Sequence, residues 1–208
     1  MTPTLDGARL RFGGVGRTVK QQIRAQRRAA RREIASARDL LTDGERIAEH
    51  LRPLLEDLHI GPGDAVTGYE SLPVEPQIEP VCRVLAARGA TVLVPITLPS
   101  FDLDWSDRAD PARTPWGLDA ITACRLVLIP ALSVDTGGTR MGQAGGCYDR
   151  ALPRARPGAV IVALLHPGEL LPHHLPADPW DQPVDAVVSA EGLAWTTYGT
   201  TRHTGSGA

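Results

Sequence analysis

The chain has 208 residues, of which 42% are hydrophobic and 22% charged, so it is long enough and apolar enough for one sizeable core. Its formal net charge of −2 argues against a protein that coats nucleic acid, and no apolar run approaches the ~20 residues that span a bilayer. The cysteines at 82, 124 and 147 are odd in number, far apart and without a CxxC pair, which argues against a disulfide framework or a structural zinc site and favours a reducing cytoplasm.

A basic helix is predicted after a flexible leader at residues 1–17. Apolar residues recur at helical spacing from Thr18, and Lys20 begins a row of cations at offsets of 4, 7 and 11 residues. Residues 17–38 contain eight Arg or Lys and one acid, and Lys20 is the only lysine of the chain. Charge alone is compatible with a solvated face, a phosphate clamp or an RNA-binding surface.

A second helix and a series of buried strands are predicted next. Thr42 and Glu45 form a capping-box pattern that predicts a helix to about Leu58, kinked or divided at Pro53. Short segments that are apolar on both faces then predict buried parallel strands, at 65–69, 91–95, 126–129, 160–164 and 186–189. Helices are predicted between them, at about 75–88 and from 145 or 146 to 155.

This alternation predicts one α/β domain over residues 18–195, with a mostly parallel sheet covered on both faces. Ligands are expected at the carboxyl ends of its strands. Residues 100–120 are predicted to leave the core, and residues 196–208 are predicted to form a flexible tail.

The segment 126–150 is the most informative candidate site. Its strand ends at Pro130 and is followed by a loop rich in glycine, which opens a helix that contains Asp149. Glycines before a helix let backbone N–H groups approach an anion, Arg140 can add a bidentate phosphate contact, and Asp149 can hold magnesium on the phosphates. A glycine-rich surface turn is the alternative, because neither GxxxxGKS/T nor GxGxxG is present.

Two further segments carry candidate residues. Glu75 follows the first buried strand, as part of a pocket wall or as an acid in the first turn of a helix. His173 and His174 are adjacent rather than four residues apart, which argues against a zinc site. Asp181, before the last strand, is predicted to join Asp149 at a magnesium ion.

In this order, the segments resemble the 5-formyltetrahydrofolate cyclo-ligase family from about Thr18 to Glu191. KQQIRAQRRAARR matches the family's Lys and Arg four residues apart, and SLPVEP matches its S-x-x-x-E loop. LIPALSVDTGGTRMGQAGGCYDR is similar to its strand and FD-x-x-G-x-R-L-G-R-G-G-G-Y-Y-D-R loop. LPADPWDQPVDAVVSAEG resembles its LP-x-x-x-H-D-x-x-V-D segment.

The resemblance implies a three-layer α/β sandwich similar to sugar-phosphate isomerases and CoA transferases. It implies an enzyme that uses ATP and Mg²⁺ to close 5-formyltetrahydrofolate into 5,10-methenyltetrahydrofolate, after phosphorylation of the formyl oxygen. The expected partner is a small molecule, a reduced folate or another N-acyl compound. No membrane or nucleic acid is expected, and a monomer is the default.

The resemblance also implies roles for individual residues. The catalytic residues are Lys20, Arg140 and Tyr148. The ATP site comprises Lys20, Arg24, Arg140, Gly142, Gln143, Ala144, Gly145, Gly146 and Tyr148. The substrate site comprises Arg24, Glu70, Glu75, Gln143, Gly145, Gly146 and Cys147. The magnesium ligands are Asp149 and Asp181.

Several positions depart from the family pattern. Gln143 replaces an arginine, Ala144 a glycine, Cys147 a tyrosine and Trp180 a histidine. Near the late strand, where the family often has a glutamine, Glu169 is the nearest residue. The residues for ATP and magnesium are mostly retained, whereas those near the folate differ. The alternatives are therefore a paralogue that activates another amide or N-formyl compound, a non-catalytic nucleotide- or folate-binding protein, and an RNA-binding module.

Overall fold

The computed structural model describes residues 13–204, with side chains from 19 to 203. The first helix, α1, spans Gly13–Ser36 and thus includes the last residues of the predicted leader. Residues 1–12 of that leader and 205–208 of the predicted tail lie outside the described residues. Between residues 13 and 204, none of the helices is both long and apolar enough to traverse a bilayer.

The second helix, α2 (Leu40–Asp57), begins earlier than the capping-box pattern predicts. Asp39 is the N-cap, because its carboxylate accepts hydrogen bonds from the backbone N–H groups of Leu41 and Thr42 at 3.1 and 3.3 Å. The hydroxyl of Thr42 donates to the same carboxylate at 2.7 Å, so Thr42 is not the cap. These bonds lower the pKa of Asp39, the hydroxyl of Thr42 contributing most. The helix runs undivided through Pro53.

Seven strands form the central sheet, and three short strands form a second one. The ten strands are β1 Ala65–Thr67, β2 Thr91–Thr97, β3 Leu103–Asp107, β4 Cys124–Pro130, β5 Ser133–Asp135, β6 Arg140–Met141, β7 Val160–Leu164, β8 Leu170–Leu171, β9 Ala186–Ser189 and β10 Gly192–Trp195. The central order is β10-β9-β7-β4-β1-β2-β3, and the small sheet is β6-β5-β8. All central neighbours are parallel except the two edge strands, β10 and β3.

The central sheet is buried on both faces, which explains its continuous apolar strands. Within β4, Leu126 and Leu128 pack in one core cluster, and Val127 and Ile129 pack in the other. The first cluster includes α2 and α3 (Glu79–Ala87). The second includes Trp105 and residues of α4 (Cys147–Ala151) and of the 3₁₀ helices Leu118–Ala123 and Leu152–Arg154. The α/β sandwich with a mostly parallel sheet is confirmed.

Some elements were not predicted from the sequence. The excursion at 100–120 contains β3, and β10 closes the other edge of the sheet. The predicted tail contains α5 (Thr197–Thr204), so that expectation is wrong for these residues. A Cβ on Gly199 would clash with the carbonyl oxygen of Asp185, and Arg202 pairs with the Asp185 carboxylate at 2.7 Å. Close packing and a buried charge therefore hold α5 on the domain.

Candidate active site

A cavity of about 170 Å³ lies at the carboxyl ends of β2 and β4, beside the glycine-rich loop (residues 142–146). This is the position that an open α/β sheet favours for a ligand. The predicted site residues that line it are Glu75, Arg140, Gly142, Gln143, Gly145, Gly146, Cys147, Tyr148 and Asp149. The predicted residues that do not line it are Lys20, Arg24, Glu70, Ala144 and Asp181.

Arg140 is the buried cation of this cavity. Only 8% of it is exposed, and its Nη2 donates to Oδ1 of Asp149 at 2.6 Å. Its guanidinium lies 6.0 Å from the ring centroid of Tyr148, within the range of a cation–π contact. The Nε of Arg140 and the hydroxyl of Tyr148 are both buried, and neither has a hydrogen-bond partner within the described residues. Such groups are rare in proteins and are suited to a ligand oxygen.

Burial also sets the protonation state of the Tyr148 hydroxyl. Loss of hydration raises the pKa of Tyr148 above its ordinary value, and the nearby Arg140 cation only partly opposes this effect. The phenol therefore stays protonated at neutral pH. It can donate a hydrogen bond, but it cannot act as an anionic base.

Two basic side chains of α1, those of Arg24 and Arg28, contact the glycine-rich loop of the same chain. Arg24 Nε donates to the carbonyl oxygen of Gly142 at 3.1 Å. Arg28 Nε donates to Oε1 of Gln143 at 2.9 Å, and its Nη2 donates to the Gln143 carbonyl oxygen at 2.6 Å. The helix thus fixes the loop from outside the cavity. These intramolecular contacts disfavour the RNA-binding interpretation.

Lys20 is buried between two carboxylates. Its Nζ contacts Oδ2 of Asp178 at 2.7 Å and also Oδ2 of Asp181. Asp181 Oδ2 additionally accepts the backbone N–H of Asp178 at 2.8 Å. An ammonium group has three donors, and the described residues engage two of those of Lys20, which leaves the third for a ligand.

The two predicted magnesium ligands each hold a protein cation. Asp149 Oδ1 accepts from Arg140 and from the backbone N–H of Gln182, at 2.6 and 3.1 Å, whereas Asp181 pairs with Lys20. Within residues 19–203, no three acidic, His or Cys side chains are grouped as a metal cage. The second oxygen of each carboxylate accepts no hydrogen bond from the described residues. This donor set fits Mg²⁺ that keeps water and phosphate ligands, for which one or two carboxylates suffice.

A buried ion pair under the cavity was missed by the sequence analysis. Arg31, 1% exposed, binds Glu169 with two hydrogen bonds, at 2.7 and 2.5 Å, and also donates to the carbonyl of Ala131. Its Nη1 lies 4.0 Å from Oε1 of Glu75. Glu169 also accepts the backbone N–H of His166 at 2.8 Å. In the sequence, Arg31 stands in the row of cations and Glu169 is a departure from the family pattern, but no local pattern pairs the two.

The two glutamates predicted for the substrate lie in different places. Glu75 is buried at the cavity wall, where its Oε2 accepts the backbone N–H of Leu72 at 3.1 Å. It lies in the loop before α3, and not in a helix. Glu70 is exposed and pairs with Arg113 at 2.6 Å, in a neighbouring polar cleft. The structure therefore does not bring Glu70 to the cavity.

Comparison with known proteins agrees with this arrangement. The profile of the 5-formyltetrahydrofolate cyclo-ligase family matches residues 17–190. The chain belongs to this family. It is 31% identical over 190 residues to the 5-formyltetrahydrofolate cyclo-ligase of Mycolicibacterium smegmatis, which covers 82% of this chain and 93% of that protein.

Two solved structures show the same fold. A 5,10-methenyltetrahydrofolate synthetase from Mycoplasma pneumoniae superposes with a TM-score of 0.64 at 16% identity, covering 85% of this chain and 99% of the other. The 5,10-methenyltetrahydrofolate synthetase of Aquifex aeolicus superposes with a TM-score of 0.60 at 17% identity, covering 88% of this chain and 93% of the other. These low identities support the architecture and not the details of the site.

Three of the departures from the cyclo-ligase pattern, Gln143, Ala144 and Cys147, lie in or directly after the glycine-rich loop. Gln143 binds Arg28, so a guanidinium reaches this position from α1. Ala144 has φ +108°, a conformation that favours the glycine of the family pattern. Cys147 lines the cavity and presents a small side chain. Trp180 is 64% exposed and lies outside the cavity.

Thiol labelling provides a first test of this geometry. Burial raises the pKa of Cys82 to about 11 and that of Cys124 to about 12, whereas Cys147 is half-buried at the cavity. The thiolate is the reactive form, so the folded protein is expected to react rapidly with one equivalent of a thiol reagent at pH 8. Cys147→Ser should abolish the rapid phase. Two or three rapid equivalents in the wild type would contradict the burial of the other two.

Proposed function

We propose that this protein uses Mg·ATP to convert 5-formyltetrahydrofolate into 5,10-methenyltetrahydrofolate. Membership of the cyclo-ligase family and the name of the Mycolicibacterium relative support the reaction. The structural observation that carries the proposal is a pair of buried donors, Arg140 Nε and Tyr148 Oη, for which the described residues supply no hydrogen-bond partner. They lie at a cavity bordered by the glycine-rich loop, where a phosphorylated oxygen would need them.

The chemistry explains why such donors are needed. The oxygen of an N-formyl group is a poor leaving group, so the proposed first step transfers the γ-phosphoryl group of ATP to it and releases ADP. The folate N10 then attacks the activated formyl carbon and forms the new C–N bond. The C–O bond breaks, phosphate leaves, and N10 loses its proton. Phosphoryl transfer depends mainly on positioning and on neutralising charge, with little covalent participation by the protein.

Each residue has a proposed part in this sequence. Arg140 and Tyr148 donate to the oxygens that gain negative charge, and the glycine-rich loop allows close approach of the phosphates. Lys20 offers its third donor, while Arg24 holds the loop through Gly142. Magnesium, held by Asp149 and Asp181, would supply charge neutralisation on the phosphates.

The proposed setting is a cytoplasmic monomer that acts on a small molecule. All three cysteines are free, which is the state expected in a reducing compartment. The cations of α1 at positions 20, 24, 28 and 31 contact groups of the same chain, which supports a small-molecule site over a nucleic-acid surface.

The test is the appearance of the methenyl product, which absorbs in the near ultraviolet, when the purified protein is mixed with 5-formyltetrahydrofolate and Mg·ATP. We expect turnover on the order of 1 s⁻¹ or faster, one phosphate released per product, and no reaction without ATP. ATP binding without folate turnover would instead support a paralogue that activates another N-formyl compound or amide. Folate or nucleotide binding without hydrolysis of ATP would support a non-catalytic binding protein.

The magnesium assignment has a matched control within the chain. Asp178 and Asp181 both contact Lys20, but only Asp181 is assigned to the metal. Asp181→Asn is therefore expected to raise the magnesium concentration for half-maximal activity about tenfold, because it removes a hard anionic ligand. Asp178→Asn should leave that concentration within about twofold of wild type. If both variants raise the magnesium requirement equally, the effect comes from the loss of a contact to Lys20, and the assignment of Asp181 to the metal is wrong.

A further inference from the structure

Phe101 occupies the tip of the β2–β3 hairpin at the edge of the cavity. The backbone N–H of Leu98 donates to the Asp102 carbonyl at 3.0 Å, and that of Phe101 donates to the Leu98 carbonyl at 2.9 Å. The residues that flank this turn, Thr97 and Leu103, both line the cavity. The hairpin tip is therefore placed at the cavity mouth.

Side-chain contacts hold this turn in position. The hydroxyl of Ser100 donates to Oδ2 of Asp102 at 3.0 Å. The Asp102 carboxylate pairs with Arg154 at 3.6 Å, which connects the hairpin to the 3₁₀ helix that follows α4. The tip is thus tied to the same segment that carries Tyr148.

The backbone conformation of Phe101 is unusual for its side chain. Its φ is +64°, in the left-handed region where short hairpin loops generally place glycine or asparagine. The side chain is 53% exposed, so core packing does not offset the cost of this conformation. A bulky aromatic residue that is both strained and exposed is characteristic of a functional position.

The ring of Phe101 lies against the glycine-rich loop. A Cβ on Gly145 would be 3.6 Å from Cδ1 of Phe101 and 3.0 Å from Sγ of Cys147. Gly145 and Cys147 both line the cavity, so the ring borders it at this edge. Cys147, which replaces a tyrosine of the family pattern, has no aromatic ring. Phe101 supplies an aromatic surface at this edge of the cavity instead.

We infer that Phe101 is a substrate-contact residue that stacks on the p-aminobenzoyl ring of the folate. The inference rests on the proposed function. The buried donors of Arg140 and Tyr148 are placed for the formyl group, which belongs to the pterin end of the substrate. The aminobenzoyl ring, attached through N10, then extends to the mouth, where Phe101 supplies an aromatic face.

Calorimetric binding of 5-formyltetrahydrofolate tests the contact. Phe101→Ala is expected to raise the Kd for this folate about tenfold, whereas Phe101→Tyr retains the ring and stays within about twofold. The KM for ATP should not change in either variant. Trp195→Ala is the control, because Trp195 is a 43% exposed aromatic residue in β10, at the opposite edge of the sheet.

A truncated ligand identifies the ring that is stacked. 5-Formyltetrahydropterin lacks the aminobenzoyl group, so wild type and Phe101→Ala should bind it equally. Equal loss with both ligands would place Phe101 against the pterin and overturn the assignment, as would unchanged folate binding in Phe101→Ala. If the wild-type protein binds neither ligand, the proposed function is wrong and this inference fails with it. If the wild type binds the folate and Phe101→Ala binds it equally well, only this inference is wrong.

Discussion

Replacing Arg31 by methionine is expected to lower the free energy of unfolding by about 3–5 kcal/mol, the usual effect of breaking a buried ion pair. Glu169 would keep its charge in the interior without the two hydrogen bonds from Arg31. Glu75 would also lose a cation that lies 4.0 Å from its carboxylate. Urea unfolding followed by circular dichroism measures this loss.

Two further variants make the assignment specific. Arg32→Met changes the neighbouring, exposed arginine of α1 and should stay within about 0.5 kcal/mol of wild type. Arg31→Met combined with Glu169→Met removes both charges, and we expect it to recover at least half of the stability that Arg31→Met loses. A loss below about 1 kcal/mol in Arg31→Met would show that the pair is solvated and not structural.

Arg140→Met is expected to lower kcat about 100- to 1000-fold, the range found when a preorganised donor to a developing negative charge is removed. Arg140 is buried at the cavity, and its Nε has no hydrogen-bond partner in the part of the chain that the structure describes. Arg140→Lys keeps the charge but loses the planar geometry, so it should recover only part of the rate. The measurement is single-turnover formation of the methenyl product at saturating Mg·ATP.

Loss of folding must be separated from loss of catalysis, because Arg140→Met leaves Asp149 without its cation. Tyr148→Phe provides that separation, since the hydroxyl it removes has no partner within the described residues. We expect unchanged urea unfolding and a kcat at least tenfold lower for Tyr148→Phe. Arg125→Met, which changes a partly exposed arginine paired with Asp64, should retain full activity. Wild-type rates in both Arg140→Met and Tyr148→Phe would exclude these donors from the reaction.

Much of the fold could be predicted because the period and apolarity of a strand depend on local sequence. The strands β7 and β9 were predicted to the residue and β4 to within two residues at each end, since burial on both faces leaves an unbroken apolar run. The edge strands β3 and β10 were missed. They have one neighbour each and polar or small residues among the apolar ones, so their pairing depends on the neighbouring strand.

The helix termini were also predicted incompletely, because they depend on contacts that a local pattern does not specify. Thr42 and Glu45 satisfied the capping-box pattern, but Asp39 was better placed to accept the free N–H groups. The chain from Thr197 contained no strong helical pattern, and α5 forms because Asp185 accepts Arg202 and Gly199 permits close contact. Helices of this kind owe their stability to tertiary packing rather than to intrinsic propensity.

The amino-acid sequence by itself determined the family, the α/β architecture and the glycine-rich loop, because each depends on ordered local motifs. Only the tertiary structure decided which charges meet. In the structure, Lys20 pairs with two aspartates and the buried Arg31 pairs with Glu169. Glu70 lies outside the cavity, and Phe101 lies beside Gly145. These pairs are separated by many residues, and the energy of a charge depends on burial and on the partner, which no local pattern contains.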